Sequence, residues 1–386
     1  MSGEVAILEA VRTPFCRAGA AFAEISATTL GRAAVRELLD RAGVDPAGID
    51  HVVIGTVASF PEAANVARTI AVEAGIPART PAFTVNRDGA SGLEAIATAM
   101  RLIALGEAEM VVAGGVESMS RLAQATRAAE DAVSHWSRGE SAEILAKEWR
   151  ISREAQDEFA AESHRRARAA VARLSEEIVA VYPPSGAVQV VAADPDLRGD
   201  EIQAELARLA PLYDRRFGTV TTGNSAAIAD GAAFCLVAGA GRAREIMRAP
   251  LGRIRSYAVA AVDAEHMGLA PAHAIPLALA RARVPLRDIQ LIELHETAAA
   301  IVLANEAALK SREFTAGGQR PAAAGDVDPT IRNVNGGSIA LGDPAGATGT
   351  RLVASLLHEM RRRDVNLGLV AAGGSGSQGA AMVLER

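Results

Sequence analysis

The chain has 386 residues, 49% of them hydrophobic, with 35 glycines and a net charge of −6; it is too long for one ordinary core and suits two domains or a fused pair. The negative charge gives no long-range attraction to phosphate backbones, and 3% aromatic content leaves little to stack on bases, so nucleic-acid binding is disfavoured. No apolar run reaches bilayer length, the start lacks a basic segment followed by an apolar one, and Cys16 and Cys235 lie far apart, so a cytoplasmic protein without membrane span, disulfide framework or zinc site is expected.

Short β-type runs at 5–9, 51–55, 82–85 and 110–113 alternate with amphipathic helical stretches at 27–42, 64–74 and 91–105. This is the rhythm of a largely parallel sheet covered by helices. From about 117 to 237 it gives way to charged helical sequence, as at 141–147 and 152–172, punctuated by Pro183-Pro184-Ser185-Gly186 and Asp194-Pro195-Asp196. An inserted lobe over the substrate is expected there, a solvated helical insert being the alternative. The first rhythm then returns, with strands expected near 253–259, 289–294, 333–335, 367–371 and 381–384, and helices near 275–282, 296–308 and 346–360. The chain thus reads as an internal duplication divided into 1–116, 117–237 and 238–386.

The duplication is visible in particular residues. Asp88-Gly89-Ala90-Ser91-Gly92-Leu93 opens one helix and Ala345-Gly346-Ala347-Thr348-Gly349-Thr350 opens its counterpart. A glycine-lined helix start presents unpaired N–H groups and the positive end of a dipole, which suits an oxyanion or a thioester carbonyl. The same glycines also suit close helix packing, and the repeat does not choose between these readings. The Asp230-Gly231 and Gly114-Gly115 pairs serve turns and packing, since no Walker-type lysine follows them.

Several phrases in order along the chain resemble thiolase motifs: Val11-Arg12-Thr13-Pro14-Phe15, Val112 to Ser120 with its Gly114-Gly115, Gly218 to Asn224, Asp230-Gly231-Ala232-Ala233, Asn333 to Gly342, and Gly379 to Glu385. His295-Glu296-Thr297-Ala298 and the long stretch before Asn333 are most similar to the branch with a His-Glu-Ala-Phe motif, found in trifunctional-protein β-subunits. The resemblance implies the α/β thiolase fold: two duplicated βαβαβαββ halves in αβαβα layers, with the inserted segment covering coenzyme A. It also implies homodimers or homotetramers that handle acyl thioesters of coenzyme A or pantetheine, with no tightly bound cofactor.

The resemblance also places the family's chemistry on this chain. The nucleophilic Cys corresponds to Gly89, the His of a Gly-His-Pro motif to Asp343, and the second Cys to Gly373. The N–H groups of Gly89 and Ser375 match the second oxyanion hole, His295 and Glu296 match the motif that holds a water, and Asp343 is expected close by. Arg198 matches an adenine-contacting Arg. Ala226, beside Ser225, matches a pantetheine-contacting Ser, and Ser137-Arg138 stand where a His-Met pair stands. A glycine cannot form a thioester, and an ionised Asp only accepts hydrogen bonds. The expectation is therefore a divergent enzyme that carries out C–C cleavage or formation, decarboxylation or hydration without an acyl-Cys, with His295 and Asp343 moving protons. The alternative is an inactive subunit that binds thioester or stabilises a partner protein. Acyl transfer through Cys16 would require that residue to reach the pocket. The remaining histidines, His164 among them, read as surface or packing residues.

Overall fold

The computed structural model describes residues 4–58, 60, 63–122, 135–183, 190–316 and 324–386. Ten strands are found among them: β1 (Val5–Arg12), β2 (Cys16–Arg17), β3 (His51–Gly55), β4 (Ala82–Val85), β5 (Met110–Ser118), β6 (Ala229–Gly239), β7 (Gly252–Ala261), β8 (Leu291–Leu294), β9 (Leu367–Gly373) and β10 (Gln378–Glu385). Nine follow one another in the order β4-β3-β5-β6-β1-β7-β10-β9-β8, with β2 beside β6.

The order is two half-sheets back to back. β3 is parallel to β4 and β5, and β8 is parallel to β9. In each half, antiparallel strands then lead inward to β1 or β7. Strand pairing joins the half-sheets where Ala6 faces Arg253 and Ile7 faces Gly252. β6 lies within the last residues of the 117–237 segment, yet it sits between β5 and β1 in the first half-sheet.

Helices complete the layers. α1 (Ala27–Ala42) and α2 (Val66–Glu73) cover the outer face of the first half-sheet. α3 (Ser91–Ala104) and, near the end of the chain, α8 (Thr348–Arg363) fill the space between the half-sheets. α4 (Arg138–Glu148), α6 (Ala270–Ala282) and α7 (Ala299–Lys310) pack on the outer face of the second, with Phe159 and Ala160 of α5 (Arg153–Leu174). Helices on both faces leave no wet side, so β5 and β6 are buried at nearly every residue instead of alternating.

Local signals set several boundaries. The Ser26 side chain accepts from the Thr29 amide to start α1, and Gly43, at φ 65°, ends it in the left-handed region that glycine tolerates. Ser137 and Glu140 form a capping box at the start of α4.

The strand expected at 333–335 is a turn, joined to β8 by one isolated bridge between Ile292 and Arg332. Asn333 adopts φ 43°, and its side chain takes over the pairing that a strand would supply. The amide of Leu294 donates to its Oδ1 at 2.7 Å, and its Nδ2 donates to the Leu294 carbonyl at 3.0 Å. α7 likewise begins at Ala299, not 296, leaving His295–Ala298 as the loop after β8.

Candidate active site

His295 is the first residue beyond β8, and its backbone amide still donates to Ala371 of β9, at 2.9 Å. The side chain is buried. Its Nδ1 lies 3.0 Å from the carbonyl oxygen of Gly373; a carbonyl only accepts, so this nitrogen carries the proton. Nε2 stands 3.2 Å from Asp343 Oδ1 but is not aligned for a hydrogen bond, leaving one buried ring nitrogen without a partner.

Asp343 lies between the short helical turn Ser338–Leu341 and the turn Ala345–Ala347 that leads into α8. Its backbone is tied to the segment after Ser225: its amide donates to Ala227 at 2.8 Å, and its carbonyl accepts from Ala229 at 3.2 Å. Oδ1 accepts from the Thr348 hydroxyl at 2.8 Å, and Oδ2 from Arg138 Nη1 at 3.1 Å. Burial alone would raise this carboxyl, but the facing His295, then Arg138 and Thr348, outweigh it and hold the group well below the usual carboxylate range. Asp343 is therefore a fixed anion that orients and accepts, not a proton donor.

Gly89 completes the cluster at the start of α3. A Cβ on this residue would fall on the carbonyl oxygen of Gly373 and 3.0 Å from the His295 Cε1. The backbone of β9 thus stands where a side chain at 89 would project. In the turn that follows β9, Gly374 lies against the Gly89 amide and Gly376 against the Asp88 carboxylate. Ser375 is half-buried in that turn; the cavity beside His295 is lined instead by Gly373 and Gly374, with Thr297 and Arg138.

Glu296 faces away from this cavity. Its carboxylate accepts from the Ser163 hydroxyl at 2.7 Å, Asn333 Nδ2 at 2.6 Å and the Ile339 amide at 3.2 Å, which ties the loop after β8 to α5 and to the turn before Asp343.

A second cavity lies on the other side of the Asp343 segment, lined by Arg198, Ser225, His164 and Gly342 among others. The Ser225 hydroxyl donates to the Thr221 carbonyl at 2.6 Å. The Ala226 amide donates to the Thr297 carbonyl at 3.0 Å, so residues 226 and 297 form part of the wall between the two cavities. The structure therefore places His295 and Gly373 at one cavity, with Asp343 and Gly89 packed against the His295 ring, and Arg198 with Ser225 at the other.

Three residues of these sites were given no role from sequence. Arg138 and Thr348 are brought to Asp343 by different helices; Arg138 entered only through the Ser137-Arg138 correspondence and Thr348 only as part of the second glycine-rich turn. His164, read from sequence as surface or packing, is buried at the second cavity, where its Nδ1 accepts from the Arg198 amide at 3.2 Å. Burial, then the charges of Arg198 and Arg168, lower its pKa to about 4, so it is neutral. Neither cysteine reaches the cluster. Cys16 is buried in the β2–β6 pair and Cys235 within β6, and burial raises both thiols further above neutrality. Among the described residues no cluster of His, Cys, Asp and Glu has the geometry of a metal site, and no helix is long and apolar enough to cross a membrane.

Two α/β halves joined back to back around paired inner helices, with their site at the start of one inner helix, define the architectural class. Residues 5–240 match the thiolase N-terminal domain and residues 248–386 the thiolase C-terminal domain. The 3-ketoacyl-CoA thiolases of Escherichia fergusonii and Serratia proteamaculans are 39% and 38% identical to it, each alignment covering 99% of this chain and 96% of the relative. The Bacillus anthracis acetyl-CoA acetyltransferase superposes with a TM-score of 0.92 at 34% identity, covering 100% of this chain and 99% of that one. A human mitochondrial 3-ketoacyl-CoA thiolase in complex with CoA superposes at 0.91 and 32% identity, covering 99% and 98%. The chain belongs to the thiolase family and has the thiolase fold.

These comparisons correct the functional expectation. A chain that had left the family's reaction for decarboxylation, hydration or non-covalent C–C chemistry, or had become an inert subunit, was expected from residues 89, 343 and 373. Relatives that align through both halves bear the name 3-ketoacyl-CoA thiolase, which points to the thiolase reaction.

Proposed function

We propose that this protein is an acyltransferase of the 3-ketoacyl-CoA thiolase type, acting on 3-ketoacyl-CoA and coenzyme A. The observation that carries the reading is the 39% identity to a 3-ketoacyl-CoA thiolase across 99% of the chain. CoA enters as a substrate. Its adenine end is assigned to the cavity of Arg198 and Ser225 beneath the 117–237 segment, and its thioester to the cavity of His295.

In thiolysis the thiol of free CoA gives up its proton and its sulfur bonds to C3. The C2–C3 bond breaks with its electron pair on C2, which takes that proton to become the acetyl thioester. His295 is assigned to move that proton, because it lines the cavity, its Nδ1 is committed to Gly373, and its Nε2 has no hydrogen-bond partner. Asp343 keeps the ring turned and stabilises it when it is charged. The correspondence of Gly89, Asp343 and Gly373 with the family's Cys, His and Cys belongs to this reading, and it limits what residue 89 supplies, because a glycine carries no sulfur. The homodimer implied by the family is assigned to the exposed edge of β4, whose four residues are only half-buried.

The test is direct. The full-length protein, incubated with a 3-ketoacyl-CoA and free CoA, is expected to form acetyl-CoA and the shortened acyl-CoA in a CoA-dependent way, followed by mass spectrometry. No CoA-dependent product at stoichiometric protein would overturn the reading.

A further inference from the structure

The cavity beside His295 has one charged side chain among its described lining residues, Arg138; Met267, Pro271 and Ile301 make much of the rest apolar. Arg138 is the first residue of α4 and is held there by the Ser137–Glu140 capping box. Its guanidinium makes one ion pair, from Nη1 to Asp343 Oδ2 at 3.1 Å, and its side chain keeps 22% of its exposure. Nε and Nη2 have no acceptor among the described residues. That leaves the flat side-on edge of the guanidinium, two parallel N–H donors, unused on a side chain that lines the cavity. This is the edge that binds a carboxylate through two hydrogen bonds.

Arg138 is the countercharge of the buried Asp343, but that pairing uses Nη1 alone. The two remaining donors sit on a side chain that keeps part of its exposure, where a carboxylate would replace water with two charge-assisted hydrogen bonds.

Building on the thiolase reading above, we propose that Arg138 selects 3-ketoacyl-CoA substrates whose acyl chain ends in a carboxylate, that is, short 3-keto dicarboxylic acyl thioesters. The Asp343 carboxylate bridges Arg138 and His295, so the bound carboxylate lies only a few carbons from the carbonyl that reacts. A neutral chain of the same length leaves the side-on donors unpaired, and a long apolar chain meets the guanidinium.

Two pairs of ligands test this. Turnover of 3-oxohexanedioyl-CoA is compared with that of 3-oxohexanoyl-CoA, and calorimetric binding of hexanedioyl-CoA with that of hexanoyl-CoA, neither of which can be cleaved. The expected result is a preference for the diacid of about tenfold or more in both kcat/KM and Kd, as one charged bidentate contact supplies. Arg138→Met should bring both ratios to one or below, and Arg138→Lys should keep part of the binding preference. Equal binding of the two non-cleavable ligands by the native protein, or a preference that survives in Arg138→Met, overturns the proposal. A binding preference that is lost in Arg138→Met, with neither 3-keto substrate cleaved, upholds the role of Arg138 and removes the thiolase reading instead.

Discussion

The two repeats open their inner helices with near-copies of one glycine-rich turn, and the folded chain gives the copies different neighbours. At the start of α3, Gly89 is packed against the His295 ring and the Gly373 carbonyl. At the start of α8 the turn is closed off. The Glu117 carboxylate accepts from the Gly346 amide at 3.0 Å, the Thr56 hydroxyl at 2.8 Å and the Val57 amide at 3.1 Å, filling the position that an anionic ligand would take. A Cβ on Gly346 would meet Thr56 and the Gly55 carbonyl, and one on Gly349 would meet Leu93 at the start of α3. The first turn thus stands beside the His295 ring, and the second is filled by a buried glutamate; glycines of both turns, Gly92 and Gly349, bring the two inner helices together.

Breaking the end beside His295 should have the largest effect. His295→Ala is expected to lower kcat/KM for thiolysis by ~10²-fold or more, as loss of a general acid–base does. The Asp343 carboxylate keeps Thr348 and Arg138, so the variant should remain folded by circular dichroism. Full activity in this variant would remove His295 from the mechanism.

Gly89→Cys asks whether that end still has room. The new side chain displaces the Gly373 carbonyl, so a loss of roughly 1–3 kcal/mol in stability is expected from overpacking, together with an acyl adduct on residue 89 that the native protein lacks. Denaturant melts and intact-protein mass report these two effects separately. An adduct at this helix start in the native chain would contradict the chemistry assigned to Gly89.

At the closed end, Gly346→Ala should cost ~1–3 kcal/mol by the same overpacking while leaving the rate per folded molecule unchanged. A fall in kcat with unchanged stability would mean that this turn also serves the site.

The smallest effect is one of pH. Burial pushes the Glu117 carboxyl from 4.5 up to about 7, against the pull of Thr56 and the amides around it. The folded chain therefore keeps a proton that the unfolded chain has released. The stability Glu117 contributes is full below 4.5 and is lost as pH rises through about 7. Glu117→Gln removes this titration. The urea stability of the native protein relative to the variant should fall by on the order of 1 kcal/mol between pH 5 and 7.5. A difference that stays flat or grows with pH would show that Glu117 is ionised in its pocket.

Much of the fold was legible in residues. The β–α rhythm located most strands to within a few positions, because strands covered on both faces read as short apolar runs whatever they pair with. The strand missed at β6 lies in alanine and glycine sequence directly after the charged lobe, and only its place between β5 and β1 defines it. The strand wrongly expected at 333–335 fails because Asn333 pairs through its side chain, an option that a backbone pattern does not record.

By itself the sequence determined the duplication, the family motifs and the identities at 89, 343 and 373, for these are local patterns or plain residue types. Tertiary structure alone decided that Asp343 is a fixed anion between His295, Arg138 and Thr348, that Glu296 faces Ser163 and Asn333 instead of the cleft, and that one of two similar helix starts is closed by a glutamate 229 residues away. Those outcomes depend on which charges face each other once water is excluded. A buried carboxylate has the properties its neighbours impose, and its neighbours here come from distant parts of the chain.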